Sequence, residues 1–218
     1  MARLNGRLAA WLTLVGVVSA IAYAGRFSNA NHQRDVVFKW STAISELLLF
    51  AIILAVVLWI ARGLPRREVF ALRRPESWGR AIALAAGVFV VIWIVTIALG
   101  PVLHPDREQG LVPSHWEPAL AAAFVLNFVA LAVVGPIVEE LTFRGLGYTL
   151  LSPFGPWVTI LGIGVLFALW HGLVQALPVL FVFGTGLAYL RYRTESIYPG
   201  MALHMLFNGL ALLISVTV

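Results

Sequence analysis

Residues 119–144 read ALAAAFVLNFVALAVVGPIVEELTFR. The part up to Val138 has no charged side chain and is about as long as an α-helix must be to cross the hydrocarbon core of a bilayer. Glu139, Glu140 and Arg144 follow at once. An ionisable group in hydrocarbon costs roughly 2.5 kcal/mol or more, so it usually marks a functional site. The stretch therefore predicts a membrane helix that carries such a site.

The composition of the whole chain indicates a polytopic membrane protein, since 61% of its residues are hydrophobic and only 11% are charged. Its 15 Lys and Arg outnumber its 10 Asp and Glu. The excess lies in short loops between apolar runs, where it indicates topology and contact with anionic lipid. We expect the lipid bilayer as a partner and no nucleic acid. Because the chain has no Cys, disulfides, thiolate nucleophiles and Cys-ligated metals are excluded.

The hydrophobic pattern predicts an all-α, polytopic helix bundle with about seven transmembrane helices. The segments run approximately over Leu8–Ala24, Ser41–Ala61, Ala81–Leu103, Ala119–Val138, Pro156–Leu173, Ala176–Leu190 and Met201–Val216. An amphipathic stretch, 141–151, continues the fourth span beyond Pro136, which should free a backbone carbonyl and bend the helix. We expect a single membrane domain over 1–218, with generic helices in 1–118 and a motif-bearing catalytic core in 119–218.

The arginines of the loops predict the orientation of the chain. Between residues 62 and 80 the loop has six Arg against two Glu, so we expect it on the cytoplasmic side. The acidic loop from Asp106 to Glu117 would then lie outside. The first span has an alternative interpretation as a signal peptide, because Arg3 and Arg7 precede an apolar run that ends in an A-x-A-like site. Its length favours a retained span.

The two glutamates cannot share one face of a helix, because neighbouring residues point about 100° apart. Glu140 and Arg144 are four residues apart and can form an ion pair that neutralises both charges. Glu139 is then left to face a cavity. The alternative is that the helix has reached the membrane interface here and that all three side chains are solvated.

Three further polar residues lie in apolar segments. Phe167 and His171 share a helical face near the end of the fifth predicted span, and His204 and Asn208 are one turn apart early in the last. A single histidine is more often a hydrogen-bonded packing residue than a catalyst, and His and Asn can join helices by hydrogen bonds. Because His171 and His204 start from opposite sides of the membrane, they can meet only at intramembrane depth.

A carboxylate, two imidazoles and an amide together suit acyl transfer to water. The carboxylate can take a proton from water, an imidazole can hold that water, and an amide can donate toward a developing oxyanion. Alternatively, Glu139, His171 and His204 could hold zinc or another divalent metal whose bound water attacks. The spacing of these residues does not decide between the metal-free and the metal-dependent mechanism, and the zinc-binding motif HExxH does not occur.

The motifs EExxxR at Glu139–Arg144, FxxxH at Phe167–His171 and HxxxN at His204–Asn208 occur in that order across consecutive membrane segments. In this they resemble the CPBP family of CAAX prenyl endopeptidases and bacteriocin-processing enzymes, also called the ABI family. The resemblance runs from about Ala119 to the C-terminus. It implies an all-helical intramembrane endopeptidase that hydrolyses a peptide bond.

The resemblance also implies residue roles. Glu139 would be the base, with His171 as its partner, and His204 and Asn208 would donate to the oxyanion. The structural or assisting residues would be Glu140, Arg144 and Phe167. A metal-independent mechanism is favoured, with no cofactor, although the family has also been regarded as metalloproteases.

The substrate expected from the resemblance is a peptide or membrane protein, prenylated in some members. Short length and many Ala, Val and Arg residues favour a bacterial cell membrane, with a site that opens to the cytoplasm because arginines crowd that face. The competing class is a non-catalytic binding, immunity or transport protein whose buried Glu and His hold a ligand or relay protons.

Overall fold

The computed structural model describes residues 2–28, 35–103 and 116–216, and within these ranges the chain forms helices and no strand. The seven long helices are α1 (Ala2–Ser28), α2 (Trp40–Ile60), α3 (Trp78–Leu103), α4 (Pro118–Phe154), α5 (Pro156–Trp170), α6 (Leu177–Thr194) and α7 (Tyr198–Ser215). Short helical turns occur at Val36–Phe38 and Arg66–Val69. Most of the predicted acidic loop from Asp106 to Glu117 lies outside the described residues.

Five of these helices are long and apolar enough to cross a membrane, namely α1 from Asn5, α2, α3, α4 and α7. The predicted all-α polytopic bundle is confirmed, and the chain is an integral multi-pass membrane protein. The other two predicted spans, α5 and α6, form helices, but these do not reach both the length and the hydrophobicity of a membrane-spanning helix. α5 has 15 residues, and α6 ends with Arg191 and Arg193. The two helices pack against each other, and α6 also packs against α3.

α4 is one helical stretch with two π-helical turns, Ala130–Val134 and Leu141–Gly147. The first turn ends two residues before Pro136, whose missing N–H disturbs the regular hydrogen-bond pattern. The second begins after Glu140 and is fully buried from Thr142 onward. A π-helical turn shifts the register of the side chains that follow, and such turns are frequent at functional sites.

Many of the arginines lie at one end of the bundle, which we call the arginine-rich end. It consists of the loop 61–77 and the neighbouring end of α6. The start of α1 lies here, since Arg7 Nη2 donates to the carbonyl of Arg62 at 2.9 Å. The end of α6 lies here too, because Arg73 pairs with Glu195 at 3.1 Å. Thr149 near the end of α4 donates to the Val69 carbonyl at 2.8 Å. Helices therefore alternate in direction from this end.

α1 is part of the hydrophobic core. Trp11 is fully buried, and its Nε1 donates to the Thr142 carbonyl of α4 at 3.0 Å. Its ring lies so close to Gly147 that a Cβ there would overlap it. Phe70 of the arginine-rich loop approaches Gly145 in the same way, since a Cβ on residue 145 would lie 2.7 Å from the Phe70 ring. Glycine thus lets α1 and the loop pack directly against the part of α4 that follows the glutamates.

Candidate active site

The predicted ion pair between Glu140 and Arg144 is present and completely buried. Arg144 Nη1 lies 3.0 Å from Glu140 Oε1, and both side chains are 0% exposed. Arg144 Nη2 also donates to the Gly184 carbonyl of α6 at 2.9 Å, and its guanidinium lies 4.4 Å from the centre of the Phe167 ring. The pair therefore joins α4 to α5 and α6 instead of being solvated at an interface.

Glu140 has a second partner that the sequence did not indicate. His204 Nδ1 donates to the same Oε1 atom at 3.0 Å, since a carboxylate oxygen accepts. α7 comes this close because residue 200 is glycine; a Cβ there would lie 3.2 Å from Glu140 Oε2. Glu140 therefore fixes the orientation of His204 as well as neutralising Arg144, and it turns Nε2 of His204 toward Glu139.

His171 ends α5, and its ring is oriented by the backbone. Its Nδ1 donates to the Phe167 carbonyl at 2.8 Å, so in the neutral ring Nε2 is an acceptor. The Phe167 ring contacts both imidazoles, with centroids 4.7 Å from His171 and 5.8 Å from His204. Phe167 is itself 1% exposed and stacks on Phe183. Phe167 therefore contacts both histidines as well as the Arg144 guanidinium.

Glu139 lies where the two histidines converge. Its Oε2 is 3.7 Å from His204 Nε2 and 3.9 Å from His171 Nε2. These distances are too long for direct hydrogen bonds and suit a bridging water molecule. Exposed fractions of the side chains are 12% for Glu139, 21% for His171 and 2% for His204. All three line a cavity of about 510 Å³ with Asn208. The predicted site residues therefore meet within the bundle.

Asn208 bonds to a backbone carbonyl of α4 that Pro136 leaves without its usual donor. Its Nδ2 donates to the Leu131 carbonyl at 3.1 Å. In the π-helical pattern residue 136 would bond to residue 131, but Pro136 has no N–H. One hydrogen of the Asn208 amide replaces that missing donor. The second hydrogen remains on a side chain that lines the cavity.

Glu46 of α2 also lines this cavity and was missed by the sequence reasoning. Leu49, Phe50 and Ile53 share its helical face and the same cavity wall. The signal was present, because Glu46 is the one charged residue within the apolar run of α2. An intramembrane acidic residue is a functional-site hypothesis by itself. Residues of 1–118 thus contribute to the walls of the cavity around the motifs.

The described residues contain no group of three or more His, Cys, Asp or Glu side chains arranged to hold a metal ion. The set expected as ligands, Glu139, His171 and His204, converges only to the distances given above. The His204 Nδ1 and His171 Nδ1 hydrogens are used by Glu140 and Phe167, which leaves both Nε2 atoms facing Glu139. We derive no chemical step through a metal from this arrangement.

Residues 121–210 match the family model of type II CAAX prenyl endopeptidase Rce1-like proteins. This part of the chain is similar to that family. The matched range begins in α4, ends in α7 and includes all three motifs. The resemblance drawn from those motifs is thereby confirmed. No curated protein and no solved structure matches the chain.

The Rce1-like match supports, at the level of the family, a CAAX-type intramembrane protease, which is a membrane endopeptidase that acts on a peptide or protein substrate. The hydrophobic helices place it in a membrane.

Proposed function

We propose that the protein hydrolyses a peptide bond with a water molecule activated by Glu139. The observation that carries the proposal is the convergence of Glu139 Oε2 with the Nε2 atoms of His204 and His171, 3.7 and 3.9 Å away, in one cavity. Glu140, the neighbouring carboxylate, is used by Arg144 and His204. Glu139 is therefore the glutamate of the motif that can face a substrate.

The first step is proton transfer from water. A water molecule about 2.8 Å from both Glu139 Oε2 and His171 Nε2 would be oriented by two acceptors. Glu139 accepts one proton while the water oxygen attacks the carbonyl carbon of the scissile bond. The carbon–nitrogen bond then breaks, and the proton passes to the leaving nitrogen. The products are one new carboxyl terminus and one new amino terminus.

The oxyanion that forms during attack requires hydrogen-bond donors. The free amide hydrogen of Asn208 is one. His204 can donate from Nε2 only when its ring carries a second proton, because the Nδ1 hydrogen is directed to Glu140. Glu139 can pass the proton taken from water to His204, which holds it while the oxyanion exists and then releases it to the leaving nitrogen. Phe167 contributes by packing against both imidazole rings, while the Arg144 guanidinium packs against the Phe167 ring.

We propose no cofactor for this chemistry; zinc or another divalent metal held by Glu139, His171 and His204 is the alternative that a chelator tests. The proposed substrate is a peptide or membrane protein, and prenylation is one of the substrate features to be compared. We further propose a bacterial cell membrane as the location.

The test is cleavage by the purified protein. Wild type, Glu139→Ala and the surface control Glu76→Ala are incubated with prenylated CAAX peptides and with membrane-segment peptides, and new termini are identified by mass spectrometry. We expect cleavage by wild type and Glu76→Ala, with none by Glu139→Ala. Cleavage that survives Glu139→Ala would exclude Glu139 as the base. A folded wild type that cuts no peptide would favour binding or transport, and loss of activity with a chelator would favour the metal.

A further inference from the structure

A second pocket lies at the arginine-rich end, between the start of α3 and the end of α6. Its volume is about 1000 Å³, at the upper end of the range for small-molecule sites, roughly 300–1,000 Å³. Its walls come from residues within 73–84 on one side and from 192–195 on the other. None of its described lining residues belongs to the cavity around Glu139. The pocket is therefore separate from the candidate active site.

The walls of this pocket carry an excess of positive charge. The lining arginines are Arg73, Arg74, Arg80 and Arg193, and the lining glutamates are Glu76 and Glu195. The two glutamates are used by Arg80 and Arg73, at 2.8 and 3.1 Å. Among the described residues no carboxylate pairs with Arg74 or Arg193, and Arg193 Nη1 donates to the neutral Tyr189 hydroxyl at 2.7 Å. Two positive charges of the pocket are thus left without a carboxylate.

The pocket runs along α3 from its polar start into its apolar part. Its lining extends from Ser77 to Leu84, about 10 Å along the helix at 1.5 Å per residue. Beside it Trp78 and Tyr192 are 47% and 43% exposed, and such aromatic residues are typical of the level of the lipid headgroups. Ala83, further along the wall, is also exposed. The pocket therefore joins headgroup depth to the beginning of the hydrocarbon layer.

We propose that this pocket binds an anionic phospholipid, with its phosphate held by Arg74 and Arg193 and one acyl chain along Ala83 and Leu84. Guanidinium groups bind phosphate through paired, charge-assisted hydrogen bonds. Basic pockets between membrane helices on the cytoplasmic side bind such headgroups, and the positive-inside rule assigns the arginine-rich end to that side. The combination of unneutralised arginines with an apolar wall carries the proposal, because a soluble anion would use only the arginines.

A lipid in this pocket would bridge the start of α3 and the end of α6, two helices that pack against each other. α6 also supplies the Gly184 carbonyl to which Arg144 donates. A ligand that binds only the folded protein raises its melting temperature. We therefore expect anionic phospholipid to stabilise the bundle.

The test compares two double variants that remove the same charge from the same end of the bundle. Arg74→Gln/Arg193→Gln removes the two arginines of the pocket that lack a carboxylate. Arg66→Gln/Arg67→Gln is the matched control, because both arginines are exposed and lie outside the pocket. Each purified full-length protein in non-ionic detergent is titrated with dioleoylphosphatidylglycerol at about 0.15 M ionic strength. Bound lipid is counted by native mass spectrometry, and the melting temperature is measured with and without lipid.

One arginine near an anionic headgroup contributes about fivefold in affinity, so the pocket variant should bind this lipid roughly 30-fold more weakly than the wild type. Its melting temperature should no longer rise with lipid, whereas that of the control variant should rise as in the wild type. Equal weakening in the two double variants would overturn the proposal, because the whole arginine-rich end would then attract lipid without a specific site. Unchanged binding by the pocket variant would overturn it as well.

The wild type alone provides a second measurement, should the pocket variant not fold. Dioleoylphosphatidylcholine has the same acyl chains without net charge, and glycerol phosphate has the phosphate without the chains. We expect neither to displace bound dioleoylphosphatidylglycerol at equal concentration. Displacement by the first would show that charge is not recognised, and displacement by the second would identify a site for soluble anions; either result overturns the proposal. Because binding is measured without cleavage, the outcome does not depend on the proposed hydrolysis.

Discussion

Arg144→Met should be among the most destabilising single substitutions in this bundle. The variant leaves the Glu140 carboxylate buried with His204 as its remaining partner, and it removes the bond to the Gly184 carbonyl. Breaking a buried ion pair by removing one member costs about 3–5 kcal/mol. Glu140→Gln should cost a similar amount, because it leaves an unpaired guanidinium at the same place.

The double variant Glu140→Gln/Arg144→Met removes both charges, so its loss should be smaller than the sum of the single losses. A coupling of about 0.5–3 kcal/mol is expected for contacting residues in one network. The assay is reversible unfolding in detergent micelles, followed by the fluorescence of the chain's 8 Trp residues.

The chain offers a control with the same spacing. Arg80 and Glu76 are also four residues apart and lie 2.8 Å from each other, but their side chains are 72% and 85% exposed. Exposed pairs contribute at most about 1 kcal/mol. If Arg144→Met lowers stability no more than Arg80→Met, or if the losses at Glu140 and Arg144 simply add, the reasoning about the buried pair is refuted.

Three further predictions concern the cavity. Glu140→Gln should lower the cleavage rate more than Arg144→Met at equal folded fraction, because only Glu140 bonds to His204 and a neutral amide oxygen accepts that bond more weakly than a carboxylate. Equal rates in a folded-fraction-corrected assay would contradict this. His171→Ala and Asn208→Ala should each lower the cleavage rate roughly 100-fold or more. Asn208→Ala should also lower the melting temperature, because it leaves the Leu131 carbonyl without its donor. An unchanged melting temperature would argue against that bond. Glu46→Gln should raise kcat/KM for peptides with an acidic residue beside the scissile bond by roughly 10-fold relative to neutral ones, because it removes one like charge from the cavity wall. An unchanged ratio would exclude this role of Glu46.

The sequence was most informative where function depends on local spacing. A spacing of four residues on one helix brings Glu140 and Arg144 together whatever surrounds them, so their ion pair could be predicted. The apolar runs likewise predicted the helical bundle. Opposite starting points for His171 and His204 required a meeting inside the bundle, and both reach Glu139.

Contacts between distant helices could not be predicted in this way. That His204 also bonds to Glu140 depends on the close approach of α7 at Gly200. That Asn208 serves the carbonyl freed by Pro136 depends on the π-helical register of α4. Glu46 was visible as an isolated charge, but the face it presents is decided by how α2 packs.

The most direct test of the central claim is the single-turnover cleavage rate of Glu139→Gln, expressed per folded molecule. Glutamine keeps the size of the side chain but cannot accept the proton of water. The account predicts a loss of roughly 100-fold or more, with a melting temperature close to that of the wild type because Glu139 lies outside the Glu140–Arg144 pair. A folded Glu139→Gln variant that cleaves at nearly the wild-type rate would contradict it.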